Sequence, residues 1–100
     1  MLVKLCEKDK LYVGEPKAFK VKGHEVLAVN AGNIIYCIDA RCAHAGAPLA
    51  EGTLNGEVLT CPWHYSQFDV TNGNVIRGPA EKPLKVYRVE ERENSLFIEL

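Results

Sequence analysis

No stretch of this 100-residue chain approaches the roughly 20 consecutive apolar residues that span a bilayer, and the first eight residues mix Lys4, Glu7 and Lys8 among their apolar neighbours. Neither a signal peptide nor a membrane anchor is expected, and a reducing cytoplasm is the expected compartment. An excess of charge of either sign is also missing: 12 Lys plus Arg stand against 13 Asp plus Glu, for a formal net charge of -1. That balance creates no field to gather a polyanion, so nucleic acid is not an expected partner. Helical periodicity is weak throughout. There is no nucleophile motif, no phosphate-cradling glycine loop and no pair of catalytic carboxylates, so the chain by itself is not expected to be an enzyme. The four cysteines are few enough that pairing is not forced, and two of them are followed closely by histidine, which is ligand spacing rather than disulfide spacing.

What is present is enough for one compact domain and too little for two. Apolar residues make up 47% and charged residues 25%, the composition of a globular protein with a core. Most of the chain reads in short apolar or alternating runs broken by Gly, Asn and Pro, which predicts an all-β protein built from hairpins. Lys17 to Val21, Glu25 to Val29 and Ile34 to Ile38 are separated by the turn segments Lys22-Gly23-His24 and Asn30-Ala31-Gly32-Asn33, giving an antiparallel meander. Leu84 to Glu90 and Leu96 to Leu100 flank the turn chemistry of Arg92-Glu93-Asn94-Ser95 and predict a closing hairpin. Between these halves lies a segment rich in Gly, Ala, Pro, Cys and His, with short strand patterns at Glu57 to Leu59 and Gln67 to Val70. The Asn-Gly of Thr71-Asn72-Gly73-Asn74 predicts a type I′ turn leading into Val75-Ile76. The expected organisation is a base domain of about 1–38 and 76–100, with a site-bearing subdomain of about 39–75 inserted into it.

The insert contains a local echo: Cys42-Ala43-His44, then sixteen residues, then Cys61-Pro62-Trp63-His64. Each loop offers one thiolate and one imidazole. A loop with Cys first and His two or three residues later can turn its sulfur toward the protein and its imidazole toward the tip, so two such loops face to face can grip a metal centre from both sides. Ligand softness leaves two metals open. Tetrahedral zinc uses the same Cys2His2 set, and a mixed-ligand 2Fe-2S centre puts both thiolates on one iron and both imidazoles on the other.

The flanking residues carry more. Cys42-Ala43-His44-Ala45-Gly46-Ala47-Pro48-Leu49, Cys61-Pro62-Trp63-His64-Tyr65-Ser66-Gln67-Phe68-Asp69 and Arg77-Gly78-Pro79-Ala80 resemble the two ligand loops and the proline-bearing cover loop of the Rieske family. The resemblance spans about Ile38 to Val86 in motif. It implies antiparallel sheets with an inserted cluster-binding subdomain, and one 2Fe-2S cluster per chain held by Cys42, His44, Cys61 and His64. It also implies that the histidine-bound iron lies near the surface. The function it implies is that of a soluble, monomeric one-electron carrier between a flavin-dependent reductase and a terminal oxygenase or other redox enzyme. A small subunit of a larger oxidoreductase such as nitrite reductase is the alternative, with a zinc-binding module behind it.

This chain departs from the respiratory members of that family in ways that bear on its potential. The positions of their bridging cysteines hold Ala47 and Trp63, so no disulfide can staple the ligand loops. Of their two hydroxyl donors only Ser66 has a counterpart, since Phe68 replaces the tyrosine and cannot donate a hydrogen bond. The expected potential is intermediate within the roughly -150 to +300 mV range of Rieske centres and below its upper end. Trp63 is expected either to shield the cluster or to pack in the core, and Pro79 to cover the cluster. His24 is expected in solvent, Cys37 as an inert core thiol, and Cys6 as buried or free. Glu90, Glu91 and Glu93 read as a solvated edge, while Arg41 and Arg77 could steer an acidic partner.

Overall fold

A computed structural model describes residues 1–42 and 46–100. Among the described residues the alternating runs form eleven strands: β1 (Leu2–Glu7), β2 (Lys17–Val21), β3 (His24–Ala31), β4 (Ile34–Asp39), β5 (Thr53–Asn55), β6 (Val58–Thr60), β7 (Gln67–Asp69), β8 (Val75–Arg77), β9 (Val86–Tyr87), β10 (Val89–Arg92) and β11 (Ser95–Glu99). They make three antiparallel sheets, ordered β1-β11-β10, β2-β3-β4-β9 and β5-β6-β7-β8. Helix is limited, among the described residues, to single 3-10 turns at Lys8–Lys10 and Leu49–Glu51, and no helix is long and apolar enough to cross a membrane.

The predicted meander is present. Lys22 and Gly23 both have positive φ (50° and 80°), as do Gly32 and Asn33 (63° and 72°), the condition for two-residue turns whose twist matches their strands. Strand β3 is the keystone because its period of two serves two cores. Leu27, Val29 and Ala31 pack in one core with Ile38, Leu59, Phe68 and Val70, tying the second sheet to the third. On the opposite face Val26 packs with Cys37, Tyr87 and Ile98, and Ala28 with Leu11 and Leu96, tying the second sheet to the first. A strand buried on both faces needs a nearly continuous apolar run, which Val26 to Val29 supplies. Each large side chain so buried contributes roughly 1.5–3 kcal/mol.

Two expectations are corrected. The stretch predicted as one strand from Leu84 to Glu90 is divided between two sheets. Val86 pairs with Ile38 and Tyr87 with Cys37, whereas Val89 pairs with Ile98. Asp39 pins the first half. Its carboxylate accepts the Lys85 N–H at 2.9 Å and the Tyr87 hydroxyl at 3.1 Å, and its own N–H donates to the Lys85 carbonyl at 3.0 Å. The Arg88 carbonyl then accepts from Glu99 N–H at 3.0 Å, so the crossing between sheets falls at Arg88. The second correction concerns residues 71–74, which do not form a type I′ turn, because Gly73 (φ 77°) has positive φ and Asn72 does not. Asp69 organises a longer loop instead: its side chain accepts the Thr71 N–H at 2.9 Å and the Thr71 hydroxyl at 2.6 Å, and its carbonyl accepts the Gly73 N–H at 2.7 Å. Strand β5 escaped the sequence reading, although Asn55-Gly56 is itself a hairpin pattern.

Gly73 donates no side chain for a reason that can be tested. A Cβ there would lie 2.2 Å from the Leu84 carbonyl oxygen, whereas at Gly23, with similar φ, a Cβ would meet nothing within 4 Å. Gly73→Ala is expected to lower stability by roughly 2–4 kcal/mol and Gly23→Ala by only about 1 kcal/mol, since the latter meets the left-handed backbone cost alone. Thermal or urea unfolding of the two variants side by side measures the difference, and equal losses would refute the close approach.

Candidate metal centre

The two Cys-His loops are spanned by matching hydrogen bonds. In the first, Cys42 N–H donates to the Ala47 carbonyl at 3.1 Å, and in the second, Cys61 N–H donates to the Ser66 carbonyl at 2.8 Å. Each bond spans five residues, and in each loop the fourth residue after the cysteine is left-handed: Gly46 at φ 70° and Tyr65 at φ 61°. A left-handed tyrosine is uncommon and carries a backbone cost on the order of 1–3 kcal/mol, which the surrounding bonds must offset. The echo seen in the residue spacing is thus an echo of backbone geometry. It places the two thiols alike. Cys42 (2% exposed) and Cys61 (3%) lie in one core with Ala47, Phe68 and Ala80.

Along the second loop burial is lost and regained. Cys61 is buried, Trp63, His64 and Tyr65 are exposed, and Ser66 is fully buried again. Sulfur inward and imidazole outward is the arrangement expected of such a loop. Trp63, at 51% exposure, is not a core residue, which removes the packing alternative. His44 lies outside the described residues. Among the described residues no three Cys, His, Asp or Glu side chains gather into a site for a single ion.

The loop that carries Pro79 is fastened to the second Cys-His loop. Ala80 N–H donates to the Ser66 hydroxyl oxygen at 2.9 Å, and both groups are buried. The bond uses a lone pair of the hydroxyl and leaves its proton for another acceptor. Pro79, beside Ala80, is exposed. Phe68 is fully buried in the core and brings no polar atom to the site. Arg41 is already engaged with Glu25 and Gly46, whereas Arg77 is exposed on β8. The donor set fits a mixed thiolate and imidazole centre: two buried sulfurs on matched loops, a neighbouring exposed imidazole, and no disulfide at Cys6, Cys37, Cys42 or Cys61.

The chain resembles known proteins along most of its length. The family model described as Rieske [2Fe-2S] domain matches residues 1–88. Ferredoxin CarAc of Metapseudomonas resinovorans is 33% identical over 97 residues, covering 96% of this chain and 91% of the relative. The solved ferredoxin of carbazole 1,9a-dioxygenase from Nocardioides aromaticivorans IC177 superposes with a TM-score of 0.93 at 33% identity, covering 98% of this chain and 96% of that one. A chain from the complex of reduced oxygenase and oxidized ferredoxin in carbazole 1,9a-dioxygenase has a TM-score of 0.90 at 30% identity, with 97% and 91% covered.

The two remaining cysteines stand apart from the loops. Cys37 is fully buried opposite Tyr87, and burial first, then the negative charges of the Cys6 and Asp39 side chains, push its thiol from an ordinary 9.0 up to about 12. Tyr87 is likewise pushed up to about 12, by burial and then by the Asp39 carboxylate that its hydroxyl bonds. Cys6 is half-buried, and burial raises its thiol as well. A thiol whose folded pKa lies above its unfolded one favours the folded state fully below the unfolded value, and that contribution is lost as pH climbs through the interval. Stability is therefore expected to decline from about pH 9 toward pH 12. Cys37→Ala should flatten that decline in unfolding measured as a function of pH, and an unchanged slope would show that Cys37 is not its source.

Proposed function

Since this chain belongs to the Rieske [2Fe-2S] domain family, we propose that it binds one 2Fe-2S cluster per chain through Cys42, His44, Cys61 and His64 and passes single electrons to a terminal oxygenase. It is an electron carrier of the ferredoxin type and not itself a catalyst. The observation that carries the site assignment is the matched closure of the two loops, which buries both thiols and leaves His64 exposed. When bound, such a cluster takes up and releases one electron. The protein's part is to hold the thiolates in a dry core and to present an imidazole edge at the surface, where a partner can approach.

The relatives it matches are named as ferredoxins, which favours a carrier over a subunit built into a larger oxidoreductase. A flavin-dependent reductase upstream, a monomeric state and a cytoplasmic location belong to the same proposal. So does the division into a base domain of about 1–38 and 76–100 and a cluster-binding subdomain of about 39–75. An inserted unit is supported by a third sheet whose strands lie consecutively from Thr53 to Arg77, two residues past the boundary drawn at 75. Trp63 and Pro79, both exposed beside the loops, flank the place where the cluster sits in this reading.

Ser66 is the hydroxyl that tunes the potential, and Phe68 is the reason the tuning is incomplete. The Ser66 proton remains available after its oxygen has accepted from Ala80, and a donated bond to a cluster sulfur stabilises added negative charge. The first experiment is an assay of iron, sulfide and zinc in the purified protein, followed by an EPR spectrum after dithionite reduction. Two iron and two sulfide per chain with a Rieske-type signal are expected, and a colourless zinc protein would overturn the proposal. Ser66→Ala is then expected to lower the midpoint potential while the EPR signal keeps its type. A potential that stays put in a redox titration would reject the tuning role and leave Ser66 as the tether of the cover loop.

A further inference from the structure

Arg41 stands immediately before Cys42, and its side chain spans two parts of the fold. Nε donates to Glu25 Oε2 at 3.0 Å, while Nη1 donates to the Gly46 carbonyl oxygen, also at 3.0 Å. Gly46 N–H in turn donates to the Cys42 carbonyl at 2.7 Å, so both backbone polar groups of this left-handed glycine are committed. Glu25 lies near the start of β3, and its own carbonyl accepts the Ala40 N–H at 3.4 Å. The guanidinium therefore bridges the first ligand loop to the central sheet. Arg41 and Glu25 side chains are 54% and 49% exposed, so their attraction alone adds little stability. What the pair supplies is geometry. A planar fork can reach a carboxylate and a carbonyl together, and an ammonium offers no such fixed pattern.

The residue that precedes the second loop makes a different contact. Thr60 precedes Cys61, and its hydroxyl accepts from Gln67 Nε2 at 3.3 Å within the same sheet. That loop is fastened from outside through Ser66 and Ala80 instead. Two loops that close identically are thus anchored differently, one by a neutral buried hydrogen bond and one by a charged exposed fork.

We propose that Arg41, oriented by Glu25, is a positioning residue for the first ligand loop, and that the balance of these two charges beside Cys42 helps to set the cluster's potential. The inference rests on the cluster-binding reading given above. A cation one residue from a ligand thiolate favours the reduced state, and the Glu25 carboxylate offsets part of that effect. Removing one partner or the other therefore moves the potential in opposite directions, which a merely structural contact would not do.

The test uses the cluster-loaded protein and its variants Arg41→Gln, Arg41→Lys and Glu25→Gln. Redox titration, EPR line shape and the rate of bleaching by an iron chelator are measured for each. Arg41→Gln is expected to lower the potential and speed cluster loss roughly tenfold. Arg41→Lys keeps the charge without the fork, so its potential should shift less while bleaching stays fast. Glu25→Gln should raise the potential. If Arg41→Gln fails to load, Arg41→Lys and Glu25→Gln decide the matter between them. Potentials that move together, or that do not move at all, overturn the proposal. A wild-type protein without a Rieske signal removes the functional reading itself, and is seen before any variant is made.

Discussion

One apolar core, shared between the central sheet and the third sheet, is the interaction on which the rest of the molecule depends. Leu27, Val29 and Ile38 reach it from β3 and β4, and Leu59 and Phe68 reach it from β6 and β7. Cys42 and Cys61 are members of that same core. The packing that joins the two sheets is therefore also the packing that sets the separation of the two thiols. A core of this kind resists small displacements because its side chains interdigitate without room to shift. Cys42 and Cys61 are held there without a disulfide, and the fully buried Ala47 adds apolar contact in the same core.

Outside the core, three polar fastenings position the segments around the site. Asp39 binds the chain at Lys85 and Tyr87 and so directs the return from the cover loop to the central sheet. Ser66 holds Ala80, and Arg41 holds Gly46. All three are side chains that accept from or donate to backbone groups of another segment, which is how irregular loops satisfy polar atoms that no ladder reaches. The functional asymmetry follows from where these fastenings lie. The thiols are dry and fixed, whereas His64 and its aromatic neighbours Trp63 and Tyr65 face solvent. Electron exchange needs both conditions, a cofactor protected from water and an edge that a partner can touch.

Much of the site was legible before any coordinates, because ligand chemistry is local in sequence. Cys42 and Cys61, each followed by a histidine two or three residues on, suggested a metal centre, and the residues around them pointed to the family that the comparison bears out. Ser66 and Phe68 could be compared position by position. What could not be read was the partner of each polar side chain. Arg41 looked like a surface charge for steering, yet its guanidinium is spent on Glu25, sixteen residues away, and on Gly46. Trp63 could be weighed as core or shield, and only burial distinguishes them. The left-handed backbone at Tyr65 had no sequence pattern to mark it, since tyrosine has no preference for positive φ.

The strands tell the same story at the level of the fold. Alternation and turn residues determined the meander from β2 to β4 and the hairpin of β10 and β11, because side-chain period and turn chemistry act between neighbours along the chain. The unbroken run from Val26 to Val29 suits β3 to burial on both faces, which the packing of the three sheets reveals. Tertiary structure alone decided that the stretch from Leu84 to Glu90 serves two sheets, since the choice at Arg88 depends on Asp39 and Glu99, residues distant in sequence and adjacent only after folding. It alone decided that Cys42 and Cys61 share one core, because that pairing is made by packing across two sheets and no local pattern in the chain encodes it.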